Sequence, residues 1–128
     1  MIKYLITGGA GFIGSCLVRR LAKKDNDILI IDNLSYSSNT ENISNVLKKK
    51  NCYLKKIDIS DFKKVLKCIK SFKPDIIFNL AAESHVDRSI NDPIYFIKNN
   101  INSATNLFHA YLKYYKKKKN KNISYFYR

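Results

Sequence analysis

The sequence predicts an α/β fold built on a parallel sheet. Short apolar runs alternate with segments whose apolar residues recur at helical spacing, which is typical of strands joined by helical crossovers. A glycine-rich stretch, TGGAGFIG, stands between the first apolar run and the first helical segment. Of the 128 residues, 45% are hydrophobic and 12% are aromatic, which suits a single domain with its own core.

The predicted elements follow one another without a linker. Apolar runs predict buried strands at KYLIT (residues 3–7) and DILIID (27–32), and a third and a fourth strand are expected at YLKKID (53–58) and DIIFNLAA (75–82). Helical spacing marks FIGSCLVRRLAKK (12–24), TENISNVLKK (40–49), FKKVLKCIKSF (62–72) and a long helix from Pro93 through Tyr111. Ser60 or Asp61 is expected to cap the third helix, and Asp92 the fourth. Right-handed crossovers then give the strand order 3-2-1-4, with a candidate short fifth strand from Ile123 to Tyr127.

Composition narrows the classes of function. The net charge of +14 arises from 24 basic and 10 acidic residues, but the lysines are spread over several elements, which favours solvent-exposed faces over a nucleic-acid site. The cysteines (Cys16, Cys52, Cys68) and histidines (His85, His109) lack metal-ligand or redox spacing, so we expect no metal. Without a leader pattern or a long apolar run, the sequence predicts a cytoplasmic protein that does not enter a membrane.

The glycine stretch carries the first functional signal. Gly8, Gly11 and Gly14 allow a tight turn, a close backbone approach to a pyrophosphate, and close packing of helix on strand. Asp32 ends the next strand, where its carboxylate can accept both hydroxyls of a ribose. The same carboxylate disfavours a 2′-phosphate. The pattern therefore predicts a dinucleotide site of the Rossmann type with NAD as the cofactor, against the alternative of a purely structural glycine turn.

Two longer stretches add a family resemblance. The glycine spacing resembles that of the extended short-chain dehydrogenases/reductases, and LAAESHVDRSI (residues 80–90) resembles the dTDP-glucose 4,6-dehydratases. The segment LSYSSNTENI (34–43) fits the same family, and the likeness extends over residues 1 to about 112. The resemblance implies a nucleotide-sugar substrate, dTDP-glucose, and pairing of full-length members into homodimers through helices.

The resemblance also implies the residues of the cofactor site. Position by position, it assigns NAD contacts to Gly8, Gly11, Phe12, Ile13, Gly14, Asp32, Asn33, Leu34, Ser35, Asp58, Ile59, Leu80, Ala81, Ala82, Glu83, Ser84 and Asn99. Ser84 would also reach the sugar. Two positions depart from the family, because Asn99 replaces a threonine and Ser103 a glycine. Asn100 matches a family asparagine that braces the active-site water chain. For His85, Asp87 and Arg88, a polar loop held by its own ion pair is the alternative to a part in the site, and none of the three is assigned a catalytic role.

No residue of this chain is assigned a catalytic role. The family's reaction moves hydride from carbon 4 of the glucosyl ring to NAD, eliminates water between carbons 5 and 6, and returns the hydride to carbon 6. It uses a Thr-Asp-Glu segment and a Tyr-x-x-x-Lys pair that lie later in the chain. Tyr114 with Lys118 and Tyr115 with Lys119 match that spacing formally, but both pairs precede the fifth strand. The sequence thus predicts the N-terminal, NAD-binding part of a lyase, truncated before the catalytic segment and inactive by itself.

The tail, residues 116–128, is of low complexity and prompts a hypothesis about the reading frame. Codons chosen for Ile123 to Arg128 and shifted by one base encode Phe-His-Ile-Ser-Thr-Asp, which resembles the family's catalytic strand. Slippage in the A-rich tract that encodes the lysines would explain this tail, and the nucleotide sequence beyond Arg128 tests the hypothesis.

The alternatives to the predicted function are a non-catalytic NAD-binding module, a basic nucleic-acid-binding remnant, an inert pseudogene product, and another extended short-chain dehydrogenase acting on nucleotide sugars.

Overall fold

The computed structural model, which describes residues 1–84, 86–117 and 125–127, contains one parallel sheet. Its strands are β1 (Lys3–Thr7), β2 (Asp27–Asp32), β3 (Cys52–Lys56), β4 (Ile76–Asn79) and β5 (Tyr125–Tyr127), in the order 3-2-1-4-5. The predicted α/β class and the order 3-2-1-4 are confirmed. The short β5 pairs with β4 in parallel, with Tyr125 opposite Ile76, whereas residues 123 and 124 of the candidate fifth strand lie outside the described residues.

In the described part of the chain, five α-helices connect the strands. They are α1 (Phe12–Leu21), α2 (Ser44–Leu47), α3 (Phe62–Phe72), α4 (Val86–Asn91) and α5 (Pro93–Tyr115). The helix expected at residues 40–49 is divided into a 3-10 turn, Thr40–Ile43, and the single turn of α2. The alternative of a polar loop does not hold for Asp87 and Arg88, because residues 86–91 form α4, which packs against α5. His85 lies outside the described residues.

Helix starts follow the expected chemistry of N-caps. The side chain of Asp61 accepts a hydrogen bond from the backbone N–H of Lys64 at 3.1 Å, and this N–H is the main reason why the pKa of Asp61 is lowered. Asp61 therefore fills the cap position for which Ser60 was the alternative. The side chain of Asp92 accepts from the backbone N–H of Tyr95 at 2.9 Å, with Pro93 in the first turn. Both caps set the direction in which a helix leaves the sheet.

The central strands β1 and β2 are buried on both faces, as the continuous apolar runs predicted, whereas the edge strand β3 exposes Tyr53, Lys55 and Lys56. Alternate residues of β1 and β2 face opposite sides, so Leu5 and Leu29 pack toward α3 and α5, whereas Ile6 and Ile30 pack toward α1 and α2. The first face is completed by Val65, Ile69, Leu107, Tyr111 and Tyr114, and the second by Val18, Ala22, Ile43 and Val46. This two-sided core fixes the carboxyl ends of β1, β2 and β4 side by side.

Candidate functional site

The turn between β1 and α1 depends on two glycines that have no room for a side chain. Gly8 has φ of +69°, and a Cβ there would stand 2.7 Å from the backbone nitrogen of Ala81. At Gly14, inside the first turns of α1, a Cβ would overlap the carbonyl oxygen of Gly8. The backbone at Gly8 thus lies directly against the chain that leaves β4. This packing brings the start of α1 down onto the carboxyl ends of the strands.

Hydrogen bonds hold those strand ends together. The N–H of Gly8 donates to the carbonyl of Ile31 at 2.9 Å, and the N–H of Leu80 donates to the carbonyl of Thr7 at 3.1 Å. Below them, the buried hydroxyl of Thr7 donates to the side-chain oxygen of Asn79 at 2.7 Å. Because β1 is bonded in this way to both of its neighbours, the edge above it forms a fixed floor on which a ligand can rest.

Asp32 is the buried acid of the site, with only 4% of the residue exposed at the end of β2. Its Oδ2 accepts from the backbone N–H of Ala10 at 2.9 Å, which links β2 to the glycine turn. Its Oδ1 accepts from the N–H of Leu34 at 2.9 Å and from the hydroxyl of Ser38 at 2.7 Å. Three donors therefore fix the orientation of this carboxylate before any ligand arrives.

Beside Asp32, a cavity opens between the strand ends and α5. It is lined by Gly8, Ile31, Asp32, Asn33, Ser35, Ser37, Ser38, Ile57, Asp58, Ile59, Leu80, Ala81, Ala82, Glu83, Asn99, Asn100 and Ser103. The lining comes from the end of β2, from the segments that follow β1, β2, β3 and β4, and from α5, which is the position where an open parallel sheet binds its ligand. Most of the residues predicted for NAD lie in this one cavity.

The structure places the remaining predicted residues at the rim or away from the cavity wall. Gly11 caps α1 and Phe12 and Ile13 begin it, with Phe12 91% exposed. Leu34 turns its backbone with φ of +55° and donates its N–H to Asp32. Ser84 is exposed just beyond the cavity wall that Glu83 lines.

Several lining residues have no counterpart among those predicted for the cofactor. Ile31 and Ile57 lie next to predicted residues at the ends of β2 and after β3, so their positions alone could have suggested them. Ser37 and Ser38 belong to the segment SYSSN, whose run of small polar residues gives no sign of which hydroxyl points inward. Ser103, a departure from the family pattern, is buried within an unbroken α5 and also reaches the cavity.

A hydrogen-bonded bridge joins the two loops that flank the cavity. The phenol of Tyr36, in the loop after β2, donates to Oε2 of Glu83 at 2.8 Å. Glu83 is itself held by Asn100, whose side-chain oxygen accepts from the Glu83 N–H at 2.7 Å and whose amide donates to the Glu83 carbonyl at 3.0 Å. In this structure, Asn100 therefore anchors the loop after β4 to α5.

The tyrosines that match a Tyr-x-x-x-Lys spacing belong to the core. Tyr114 is 9% exposed in the face toward α3, and burial is the main cause of its raised pKa. A catalytic tyrosine base needs a lowered pKa, so this shift has the opposite direction. Tyr115 packs against the same cluster, with its ring centroid 5.8 Å from that of Tyr111. Lys118 and Lys119 lie outside the described residues.

Other features of the described part of the chain complete the picture. Cys16, Cys52 and Cys68 are free thiols, and burial is the main cause of the raised pKa of Cys52. Within residues 1–84, 86–117 and 125–127, no three His, Cys, Asp or Glu side chains come together as a metal site. None of the helices in those same ranges is both long enough and apolar enough to span a membrane.

Comparison with known proteins decides the family. A family model for GDP-mannose 4,6 dehydratase matches residues 5–126. The chain belongs to the GDP-mannose 4,6 dehydratase family. Among curated members related to it, the dTDP-glucose 4,6-dehydratase of Salmonella typhimurium is 41% identical over 115 residues, and that of Neisseria meningitidis is 40% identical over 111 residues. These matches cover 89% and 86% of the chain.

The match extends over only part of these dehydratases. The chain spans about a third of their length, 32% of the Salmonella protein and 31% of the Neisseria protein, and resembles their N-terminal portion. Among solved structures, DesIV, a dTDP-glucose 4,6-dehydratase from Streptomyces venezuelae with NAD bound, superimposes with a TM-score of 0.81 at 31% identity. The match covers 88% of this chain and 36% of the DesIV chain. A UDP-Glc/GlcNAc 4-epimerase from Campylobacter jejuni gives the same TM-score at 34% identity, with 88% and 34% covered. The resemblance read from the sequence is confirmed.

Proposed function

We propose that this chain is the NAD-binding part of a dTDP-glucose 4,6-dehydratase. One observation carries the proposal: Asp32 is buried, held by three donors, and lines a cavity at the carboxyl end of the sheet beside a turn that only glycine can form. The geometry suits the cofactor, since the backbone around Gly8 is bare where a pyrophosphate would approach. Bound NAD would supply a two-electron acceptor for hydride from the sugar.

The proposed contacts follow the layout of the cavity. Asp58 and Ile59 would lie along the adenine, and Asp32, Asn33 and Ser35 along its ribose. Leu80, Ala81 and Ala82 would line the part of the site that leads to the nicotinamide. Glu83, Ser84 and Asn99 would lie at its rim. The backbone N–H groups of Phe12 and Ile13, in the first turn of α1, would face the pyrophosphate, and Gly11 precedes them with its own N–H bonded to the carbonyl of Gly8 at 3.1 Å. Leu34 contributes through its N–H, which orients Asp32.

A titration with NAD tests the proposal. The purified 128-residue chain is expected to give a saturable calorimetric signal and a rise in its melting temperature as NAD increases. NADP should bind at least about tenfold more weakly, because its 2′-phosphate would meet the carboxylate of Asp32. An absence of both the calorimetric signal and the thermal shift, with the chain shown to be folded by circular dichroism, would contradict the proposal.

The substrate part of the proposal rests on the relatives. Their names assign dTDP-glucose, and Ser84 at the cavity rim is where the sugar would be reached. Turnover is not proposed for this chain by itself, since Tyr114 and Tyr115 are packed in the core rather than directed to the cavity. We place the protein in the cytoplasm, which agrees with its free thiols.

A second copy of the protein is the proposed partner, because α4 and α5 carry an exposed apolar stripe. Ile94, Ile97, Ile101 and Phe108 recur along α5 at the spacing of a helix-pairing seam, and they and Ile90 of α4 are each between 47% and 73% exposed. We expect the double variant Ile97→Lys and Ile101→Lys to sediment as a monomer where the unchanged chain sediments as a dimer. Asn102→Lys adds one such charge beside the stripe and should leave the dimer intact. A monomeric unchanged chain would refute the pairing.

A further inference from the structure

The hydrogen bonds of Asp32 leave little room for a ribose. Each carboxylate oxygen offers two acceptor positions. The bonds from the Leu34 N–H and the Ser38 hydroxyl occupy both positions on Oδ1, and the bond from the Ala10 N–H occupies one on Oδ2. One position therefore remains, although a ribose brings two neighbouring hydroxyls. The expectation that Asp32 accepts both hydroxyls does not agree with this arrangement.

Ser38 has the acceptor that Asp32 lacks. Ser38 lines the same cavity, and its hydroxyl donates its single hydrogen to Asp32 at 2.7 Å. The lone pairs of the hydroxyl oxygen therefore remain available to accept a hydrogen bond from a ligand. The backbone holds it in place, because the Ser38 N–H donates to the carbonyl of Ser35 at 2.9 Å and the next N–H, of Asn39, donates to the carbonyl of Ala10 at 2.9 Å. The two oxygens thus form a continuous, preorganised acceptor surface.

We propose that Ser38 is a further cofactor-contacting residue, which accepts one hydroxyl of the adenosine ribose while Asp32 accepts the other. This inference rests on the proposed function. The hydroxyl of Ser38 donates a hydrogen bond to Asp32 and accepts one from the ribose hydroxyl. Every donor in this chain of hydrogen bonds then has an acceptor. A 2′-phosphate brings acceptors only, and Ser38 therefore also contributes to the choice of NAD over NADP.

The test compares Ser38→Ala with the unchanged chain for NAD and for its 2′-deoxy and 3′-deoxy forms, altered on the adenosine ribose, by calorimetric titration. Alanine is expected to weaken NAD binding about three- to tenfold, as for the loss of one hydrogen bond. With the analogue that lacks the hydroxyl facing Ser38, the same substitution should change affinity less than about twofold. Ser44→Ala is the matched control, since its exposed hydroxyl donates to the carbonyl of Glu41 at 2.9 Å, outside the cavity.

The outcomes separate the two proposals. Equal losses for NAD and both analogues would show that Ser38 only orients Asp32, and unchanged or tighter NAD binding would show that the hydroxyl makes no contact or competes with the ribose. Either result overturns the role of Ser38 and leaves NAD binding by the chain intact. Failure of the unchanged, folded chain to bind NAD would instead remove the proposed function, and the role of Ser38 with it.

Discussion

Replacing Gly14 with alanine is expected to prevent the chain from folding stably. The new Cβ would overlap the carbonyl oxygen of Gly8 and approach the backbone of Gly8 and Gly9 within 2.8 Å. These are backbone atoms in a turn that is already bonded to β2, so they cannot move aside as a flexible side chain would. We expect a loss of about 4 kcal/mol or more in the free energy of unfolding, measured by urea denaturation followed by circular dichroism.

Gly11→Ala provides the contrast within the same turn. Its Cβ would meet only the carbonyl oxygen of Gly8 at 3.3 Å, and the φ of −74° suits any residue. We expect this variant to unfold within about 1 kcal/mol of the unchanged chain and to lose affinity for NAD, because the methyl group stands where the pyrophosphate would approach. Equal stability of the Gly14 and Gly11 variants would show that the close packing of α1 on the turn is not needed.

Asp32→Ala is expected to have the second-largest effect, on stability and on NAD binding together. The substitution leaves the Ala10 N–H, the Leu34 N–H and the Ser38 hydroxyl without their acceptor. Three lost hydrogen bonds of about 1 kcal/mol each predict a loss near 3 kcal/mol in the free energy of unfolding. Calorimetric titration should show no NAD binding by the folded fraction.

The matched control is Asp75→Ala. Asp75 is a half-buried carboxylate that accepts a single backbone N–H, from Lys3 at 2.9 Å, and it lies outside the cavity. Its removal should lower the free energy of unfolding by about 1 kcal/mol and leave NAD affinity unchanged. If the Asp32 and Asp75 variants unfold at the same urea concentration, the carboxylate of Asp32 does not organise the turn as proposed.

Much of the fold could be predicted because its signals are local. A strand buried on both faces is a continuous apolar run, and DILIID gives β2 with the bounds that the sequence suggested. The segment at 40–49 was harder, since its few apolar residues fit either one long helix or two short turns. The division there coincides with hydrogen bonds made by Asn39, including its N–H to the carbonyl of Ala10, and such a tertiary contact has no local pattern.

Part of the candidate site could also be predicted from local signals, namely the residues at the ends of the strands. Residues that end parallel strands must share one edge of the sheet, so Asp32, Asp58 and Ala81 could be brought together from their positions alone. The number of acceptor positions that remain free on Asp32 could not be predicted, because it depends on which groups of the loops donate hydrogen bonds to its carboxylate. The contacts of Ser38 with Asp32 and of Tyr36 with Glu83 are made by loops, and the sequence of a loop has no periodic pattern from which its path could be predicted.

The close approach of Gly8 to Ala81 determines where this protein can change during evolution. The floor of the cavity at this point is peptide backbone against peptide backbone, so it has almost the same shape and polarity whatever side chains surround it. Substitutions therefore change this surface little unless they disrupt the backbone contact itself. Among the described residues, variation in the ligand that the cavity accepts is therefore expected in the loop after β2 and at Glu83 and Asn99, while the floor stays constant.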